Sequence, residues 1–254
     1  MKFRFHCATG THEGRVRTRN EDALLSDPDH GIWVVADGMG GEAAGDHASA
    51  TVIAAMTTIG RATSADDLLG RTQDRLTRAH RELVAYAHAQ QARVVGAAVV
   101  ALLAYEEYVA CVWSGDSRLY RIRQNRLAQL SRDHNEVGDL LARNVISREE
   151  ALAWKGRNAI TRAVGVYDEL EMEVLYGDLR AGDAFILCSD GLTLHVTDDE
   201  IRDYVIHNEP EAAVSALIEQ ALARGGEDNV SVIVVRADVD TNQTTVFHPA
   251  RKVM

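Results

Sequence analysis

Ala97-Ala-Val-Val-Ala-Leu-Leu-Ala-Tyr105, Tyr108-Val-Ala-Cys-Val-Trp113 and Arg118-Leu-Tyr-Arg-Ile-Arg123 follow one another with only Glu-Glu and Ser-Gly-Asp-Ser between them. Short apolar runs bounded by turn residues read as strands. Connections this short join only antiparallel neighbours, because a parallel pair needs a crossover of about a dozen residues or more. Upstream, residues 31–36 (Gly-Ile-Trp-Val-Val-Ala) form another strand-like run that ends on Asp37. A glycine-rich turn follows it, then an Ala-rich helical segment over about 43–59. Ser64 caps a second helix, with Asp66 and Asp67 in its first turn and Leu69, Leu76, Leu83 and Ala87 on one face. Downstream, residues 133–156 are polar and helix-forming, and Ser147-x-x-Glu150 has the form of a capping box. Strands resume at 171–176 and 183–188. Thr197-x-x-Glu200 opens another capped helix, 211–224 is amphipathic, and 230–236 is a last strand. Long helices thus separate groups of hairpins and do not alternate one for one with strands. The pattern predicts an α+β fold with antiparallel sheets, not a doubly wound parallel sheet.

The chain has 254 residues, 46% of them apolar and 26% charged, which are ordinary globular proportions. That length buries a real core as one large domain or two small ones. Only three prolines occur, and no low-complexity linker or solenoid period divides the sequence. Lys plus Arg number 27 against 38 Asp plus Glu, a formal charge of -11. This balance argues against nucleic acid, which needs basic stripes, and against an anionic membrane surface. The N-terminus carries no apolar stretch of signal-peptide length, and the longest apolar run, 94–104, is too short to span a bilayer. Cys7, Cys111 and Cys188 are far apart, and the last two sit in strand-like runs, where a reduced core thiol is the default. A soluble, cytoplasmic protein is expected.

One motif misleads. Gly38-Met-Gly-Gly-Glu-Ala43 satisfies G-x-G-x-x-A, the dinucleotide fingerprint in its loosest form. The fingerprint also needs an acid about twenty positions on, at the end of the next strand. Residues 55–60 (Ala-Met-Thr-Thr-Ile-Gly) hold none, and Asp37 just before the glycines would repel a pyrophosphate. Asp37 belongs to a different pattern, acids in short polar turns beside apolar runs: Asn20-Glu21-Asp22, Asp37-Gly38, Gly115-Asp116-Ser117, Ser189-Asp190-Gly191 and Glu227-Asp228-Asn229. Singly, each is an ordinary turn or cap. As a set they are strand ends that packed sheets bring to one edge, where clustered carboxylates repel unless cations neutralise them. Oxygen donors without nearby Cys or spaced His favour Mg²⁺ or Mn²⁺.

These residues stand in motifs that resemble the metal-dependent protein Ser/Thr phosphatases of the PPM/PP2C family in their compact bacterial form. The motifs are Gly14-Arg-Val-Arg17-x-x-Asn20-Glu-Asp22, Val35-Ala-Asp37-Gly-Met-Gly-Gly41, Ser114-Gly-Asp116-Ser-Arg118, Asn158-Ala-Ile-Thr-Arg-Ala-Val-Gly165, Leu187-Cys-Ser-Asp190-Gly-Leu192 and Glu227-Asp228-Asn229-Val-Ser231. They run in family order over about 7–237.

The resemblance implies a four-layer αββα sandwich, two antiparallel sheets with a pair of helices on each outer face. It implies one catalytic domain over 1–237 with a flap at about 134–157, and a polar tail over 238–254. Asp37 would bridge two ions, Mn²⁺ or Mg²⁺. Asp190 and Asp228 would complete one shell, and Glu21 with the carbonyl of Gly38 the other. Asp22 would hold a coordinated water, and Arg17 would bind the substrate phosphate with its guanidinium fork. A third, weaker ion in bacterial relatives matches Asp116 with Asp190. A metal-bridging hydroxide would then attack phosphorus directly. No cysteine is followed by Arg six positions later, so the C-x₅-R loop of cysteine phosphatases is absent. Many eukaryotic members place a His after Asp-Gly as general acid, whereas this chain has Met39; His134 is a candidate donor in its place.

The implied substrates are phosphoproteins bearing phospho-Ser or phospho-Thr, with a Ser/Thr kinase as opposing partner. A second class is a catalytically silent binding or sensor module on the same fold. Such modules lose metal-site acids, and Glu21, Asp37, Asp190 and Asp228 are all present. A two-metal nuclease or nucleotide hydrolase fits the acids but neither the acidic surface nor the motif order.

Overall fold

The computed structural model describes residues 3–40, 44–92, 94–143, 145–147, 150, 154 and 159–239. Its strands are β1 Phe3–His12, β2 Asp22–Asp27, β3 Ile32–Met39, β4 Gly96–Tyr105, β5 Tyr108–Ser114, β6 Arg118–Arg123, β7 Arg126–Gln129, β8 Glu173–Asp178, β9 Ala184–Cys188 and β10 Val230–Val239. They form two antiparallel five-stranded sheets, ordered β2-β3-β4-β5-β8 and β1-β10-β9-β6-β7. The β4–β5 hairpin turns through Glu106 and Glu107, pairing Tyr105 with Tyr108, as the opening stretch of sequence predicts.

Helices α1 (Gly45–Met56) and α2 (Ala65–Ala89) cover the first sheet, burying Val52, Met56, Leu76 and Leu83 against Val34 and Val99. Helices α5 (Asp198–His207) and α6 (Pro210–Ala223) cover the second, burying Ile201, Val205 and Leu217 against Ile186 and Val232. The short α3 (Glu136–Ala142) and the single turn α4 (Asp190–Thr193) lie at the strand ends. Between the sheets, Trp33, Val35, Val100, Leu102, Phe185, Leu187, Ile233 and Val235 form a third apolar layer. Period-2 alternation explains this: even positions of β3 feed the helix side and odd positions the inter-sheet side. Each such fully buried side chain contributes roughly 1.5–3 kcal/mol. The expected four layers are present. Among the described residues no helix is long and apolar enough to cross a membrane.

Caps behave as their side chains dictate. Ser64 accepts from the amide of Asp67, and Thr197 with Glu200 forms a reciprocal capping box. Ser147 and Glu150 also bond reciprocally, at 2.7 and 3.2 Å. The first part of that predicted helical segment, 133–143, holds α3, whereas 144, 148–149, 151–153 and 155–158, with Asn158 of the following motif, lie outside the described residues, as do 41–43 of the glycine-rich turn and 240–254 of the tail.

Three strands go beyond the sequence expectation: β1, β2 and β7. All three are edge strands, half exposed and without long apolar runs. The segment 20–22, read as a turn, instead leads into β2 at Asp22. Likewise β3 does not stop at Asp37 but continues through Gly38 to Met39, paired with β4 as far as Gly96.

Candidate metal centre

The row of β3 side chains that faces the inter-sheet layer runs Trp33, Val35, Asp37. The corresponding rows end in Asp22 on β2, Ser189 after β9 and Ser231 on β10. The apolar layer therefore turns polar at one end of the sandwich, and a cleft of about 790 Å³ opens there. Arg17, Glu21, Asp37, Gly38, Asp116, Asp190 and Asp228 all line it, with Arg19, Met39, Ile160 and Asn229 beside them.

Local structure sets each acid in place. Asp22 and Asp37 are direct cross-strand partners in the β2–β3 ladder. Ser189 donates its hydroxyl to Asp22 Oδ2 at 2.8 Å and accepts the amide of Ser231 at 3.0 Å. Asp190 opens α4, with Ser189 as its N-cap residue. Glu21 takes the backbone N–H of Gly45 at the start of α1, where a helix N-terminus favours negative charge. The Gly38 amide bonds the Glu21 carbonyl at 3.1 Å. Arg17 donates to Asp228 Oδ2 at 2.8 Å, so this acid of the cleft is held by the residue expected to bind phosphate.

Burial dominates the electrostatics. It pushes Asp116 up to about 8 and Asp22 to about 7, with the neighbouring charge of Asp190 adding to both, although Ser231 and Ser189 pull Asp22 back. Asp190 rises to about 6 through burial and Asp228 beside it. Asp37 is raised well above the carboxylate range by burial and by Asp22 and Asp190. Glu21 rises more modestly, since Arg17 opposes the burial.

Divalent cations fit these residues. All the donors are oxygens, the choice of hard ions. Asp22 Oδ1 and Asp116 Oδ1 are buried without a hydrogen-bond partner, a costly arrangement that a cation relieves. Among the described residues, no three His, Cys, Asp or Glu side chains are yet drawn into a closed ligand set.

Every residue expected to hold metal or phosphate lines this one cleft, whereas Asp22 is buried beside its cross-strand partner Asp37. His134 does not fit the role of proton donor: it is wholly buried, away from the cleft lining, with both ring nitrogens engaged. Sequence reasoning missed Asn229 as more than part of a motif. Its Oδ1 accepts the Glu21 amide at 2.8 Å, and its Nδ2 donates to the carbonyls of Glu13 (2.9 Å) and Arg19 (2.8 Å). Asn229 thereby sets the loop that carries Arg17 and Glu21. The only signal was an amide wedged between Asp228 and a buried strand.

Comparison with known proteins agrees with this geometry. The family model described as Protein phosphatase 2C matches residues 9–231. The serine/threonine phosphatase stp of Listeria welshimeri is 31% identical over 244 residues, 92% of this chain and 96% of that protein. A solved structure of PppA, described as a key regulatory component of the T6SS in Pseudomonas aeruginosa, superposes with a TM-score of 0.85 at 39% identity, covering 92% of this chain and 97% of that one. The catalytic domain of the serine threonine protein phosphatase PstP, in complex with two manganese ions, gives a TM-score of 0.85 at 31% identity, covering 94% of this chain and all of that one (100%).

Proposed function

This chain belongs to the protein phosphatase 2C family, and we propose from that premise that its cleft hydrolyses phosphoserine and phosphothreonine on proteins with Mn²⁺ or Mg²⁺ as cofactor. The observation that carries the reading is the convergence of Glu21, Asp37, Asp116, Asp190 and Asp228 on one cleft whose mouth also holds Arg17. Asp37 would bridge two cations, Asp190 and Asp228 would serve one, and Glu21 with the Gly38 carbonyl the other. Asp116 with Asp190 suits a third. Bound there, the cations supply Lewis acidity and a water acidic enough to ionise near neutral pH. Asp22, fixed by Ser189, accepts a hydrogen bond from the attacking water and orients it. Arg17 exchanges Asp228 for two phosphoryl oxygens and offsets the charge that builds on them.

The finer assignments belong to the same reading. Residues 1–237 act as one catalytic domain, 134–157 flank the cleft as a flap that shapes substrate choice, and a Ser/Thr kinase supplies the phosphoproteins. The three free cysteines suit a reducing cytoplasm.

The test is hydrolysis of a phosphothreonine peptide and of a phosphodiester, side by side, with Mn²⁺ and with EDTA. Peptide hydrolysis that chelation abolishes supports the proposal. Preference for the diester points to a nuclease, and Mn²⁺ binding without turnover points to a silent binding module.

A further inference from the structure

His134, excluded above as a proton donor, occupies a specific place. Its backbone N–H donates to the Gly115 carbonyl at 3.0 Å, while its ring Nδ1 accepts the Gly115 amide at 3.2 Å. One residue thus holds both polar groups of Gly115. The backbone amide can only donate, so Nδ1 is bare and the proton sits on Nε2. That nitrogen faces Glu173 Oε1 at 3.2 Å. Arg132 (2.7 Å) and Arg162 (2.9 Å) donate to the same oxygen, which fixes it from two further directions. The imidazole also stacks on Trp113, ring centroids 5.8 Å apart.

The turn accepts only glycine at position 115. The φ of Gly115 is +128°, and a Cβ would come within 2.3 Å of Ala98 Cβ, so the turn is pressed onto β4. The next residue is Asp116, 5% exposed, with Oδ1 unpartnered beside the cleft. On its other side, the His134 carbonyl accepts the Thr161 amide at 2.7 Å, and Asn135 bridges Ile160, which lines the cleft.

We propose that His134 is a positioning residue that sets Asp116 for cation binding and ties it to the Ile160–Arg162 segment on the same wall. Burial, with Arg162 close by, lowers the basicity of the ring and keeps it in the neutral form that the Gly115 bond requires. The inference rests on the metal-centre reading above, but its test does not depend on turnover.

Two substitutions separate the two ends of the ring. In His134→Asn the amide oxygen takes the place of Nδ1 and keeps the Gly115 bond. In His134→Gln the amide reaches the Nε2 position and loses it. The readouts are Mn²⁺ binding by calorimetry, taken as the event that Asp116→Asn removes, and exchange of the Gly115 amide in metal-free protein. His134→Asn is expected to bind Mn²⁺ within about twofold of the parent. His134→Gln is expected to bind about tenfold more weakly or worse, the usual cost of losing a residue that orients a ligand, with faster Gly115 exchange. Equal losses in both variants, parental binding in His134→Gln, or no event lost in Asp116→Asn would each overturn the proposal. If His134→Gln does not fold, His134→Asn decides alone: parental affinity and slow Gly115 exchange support it, and their loss refutes it. A parent protein that binds Mn²⁺ but leaves phosphopeptides intact would sink the proposed function and leave this inference standing.

Discussion

Asp22 lies directly across the β2–β3 ladder from Asp37, so two carboxylates face the same side of the sheet at one register position. Like charges directly opposite destabilise a ladder by up to about 1 kcal/mol. Asp22→Asn removes one of them while its amide oxygen still accepts from Ser189. In metal-free protein it is expected to raise Tm by about 3 °C. Phosphatase activity should drop by roughly 10-fold or more if Asp22 orients the attacking water as proposed. A lower Tm would show that Asp22 is not under electrostatic stress.

Stability should depend on pH in a direction opposite to that of most acidic proteins. Asp22, Asp116 and Asp190 titrate near about 7, 8 and 6 in the folded protein, above the range of an unfolded carboxylate. The folded state then binds more protons than the unfolded one between about pH 4 and pH 8. Stability is therefore full below about pH 4 as far as these groups are concerned, and falls as pH rises through their folded values. EDTA-treated protein should melt lower at pH 8 than at pH 5.5. Added Mn²⁺ should raise Tm more at pH 8. Melting curves of both forms across this range are the check, and a metal-free Tm that climbs with pH contradicts the account.

Gly45 offers a separation of fold from site. A methyl added there would stand 2.6 Å from the Glu21 carboxyl carbon, the end of a movable side chain. Gly45 is the first residue of α1, so Ala there gains less than the ~1 kcal/mol of a helix interior. Gly45→Ala should therefore keep Tm within a few degrees while displacing Glu21. The Mn²⁺ concentration for half-maximal activity should rise about tenfold. Unchanged Mn²⁺ dependence would remove Glu21 from the ligand set.

Arg17→Lys keeps the charge but not the fork. A lysine reaches a phosphate as a point charge with no paired donors. KM for a phosphopeptide should rise by about 10-fold, with Mn²⁺ affinity nearly unchanged. Steady-state kinetics at saturating Mn²⁺ will show it; a fall in kcat alone would place Arg17 elsewhere in the reaction.

The sequence is most informative where burial is complete. Apolar strands such as β4, β5 and β9 announce themselves because both faces are covered. Ser64 and Thr197 mark helix starts because a cap is a local hydrogen bond. Edge strand β1 hides behind Arg4 and His6, whose outward positions break the apolar run although Phe3 and Phe5 keep the period. At the site, Glu21, Asp37, Asp116, Asp190 and Asp228 are visible as acids at turns, and family motifs carry them to one place. The bonds made by Asn229 and His134 are not, because each joins backbone groups distant in the chain, Glu13 and Arg19 in one case and Gly115 in the other. No local pattern encodes such a partner.

Strand β1 runs beside β10 for ten residues, from His12 opposite Val230 near the cleft to Phe3 opposite Val239. At about 3.3 Å per residue, that carries both strands roughly 30 Å from the catalytic end. The described chain thus enters at Phe3 and leaves at Val239 side by side, at the pole opposite the acidic cleft. Immobilised through that pole, the enzyme presents its mouth to the bulk solution, an orientation suited to capturing large phosphoprotein substrates on a sensor chip.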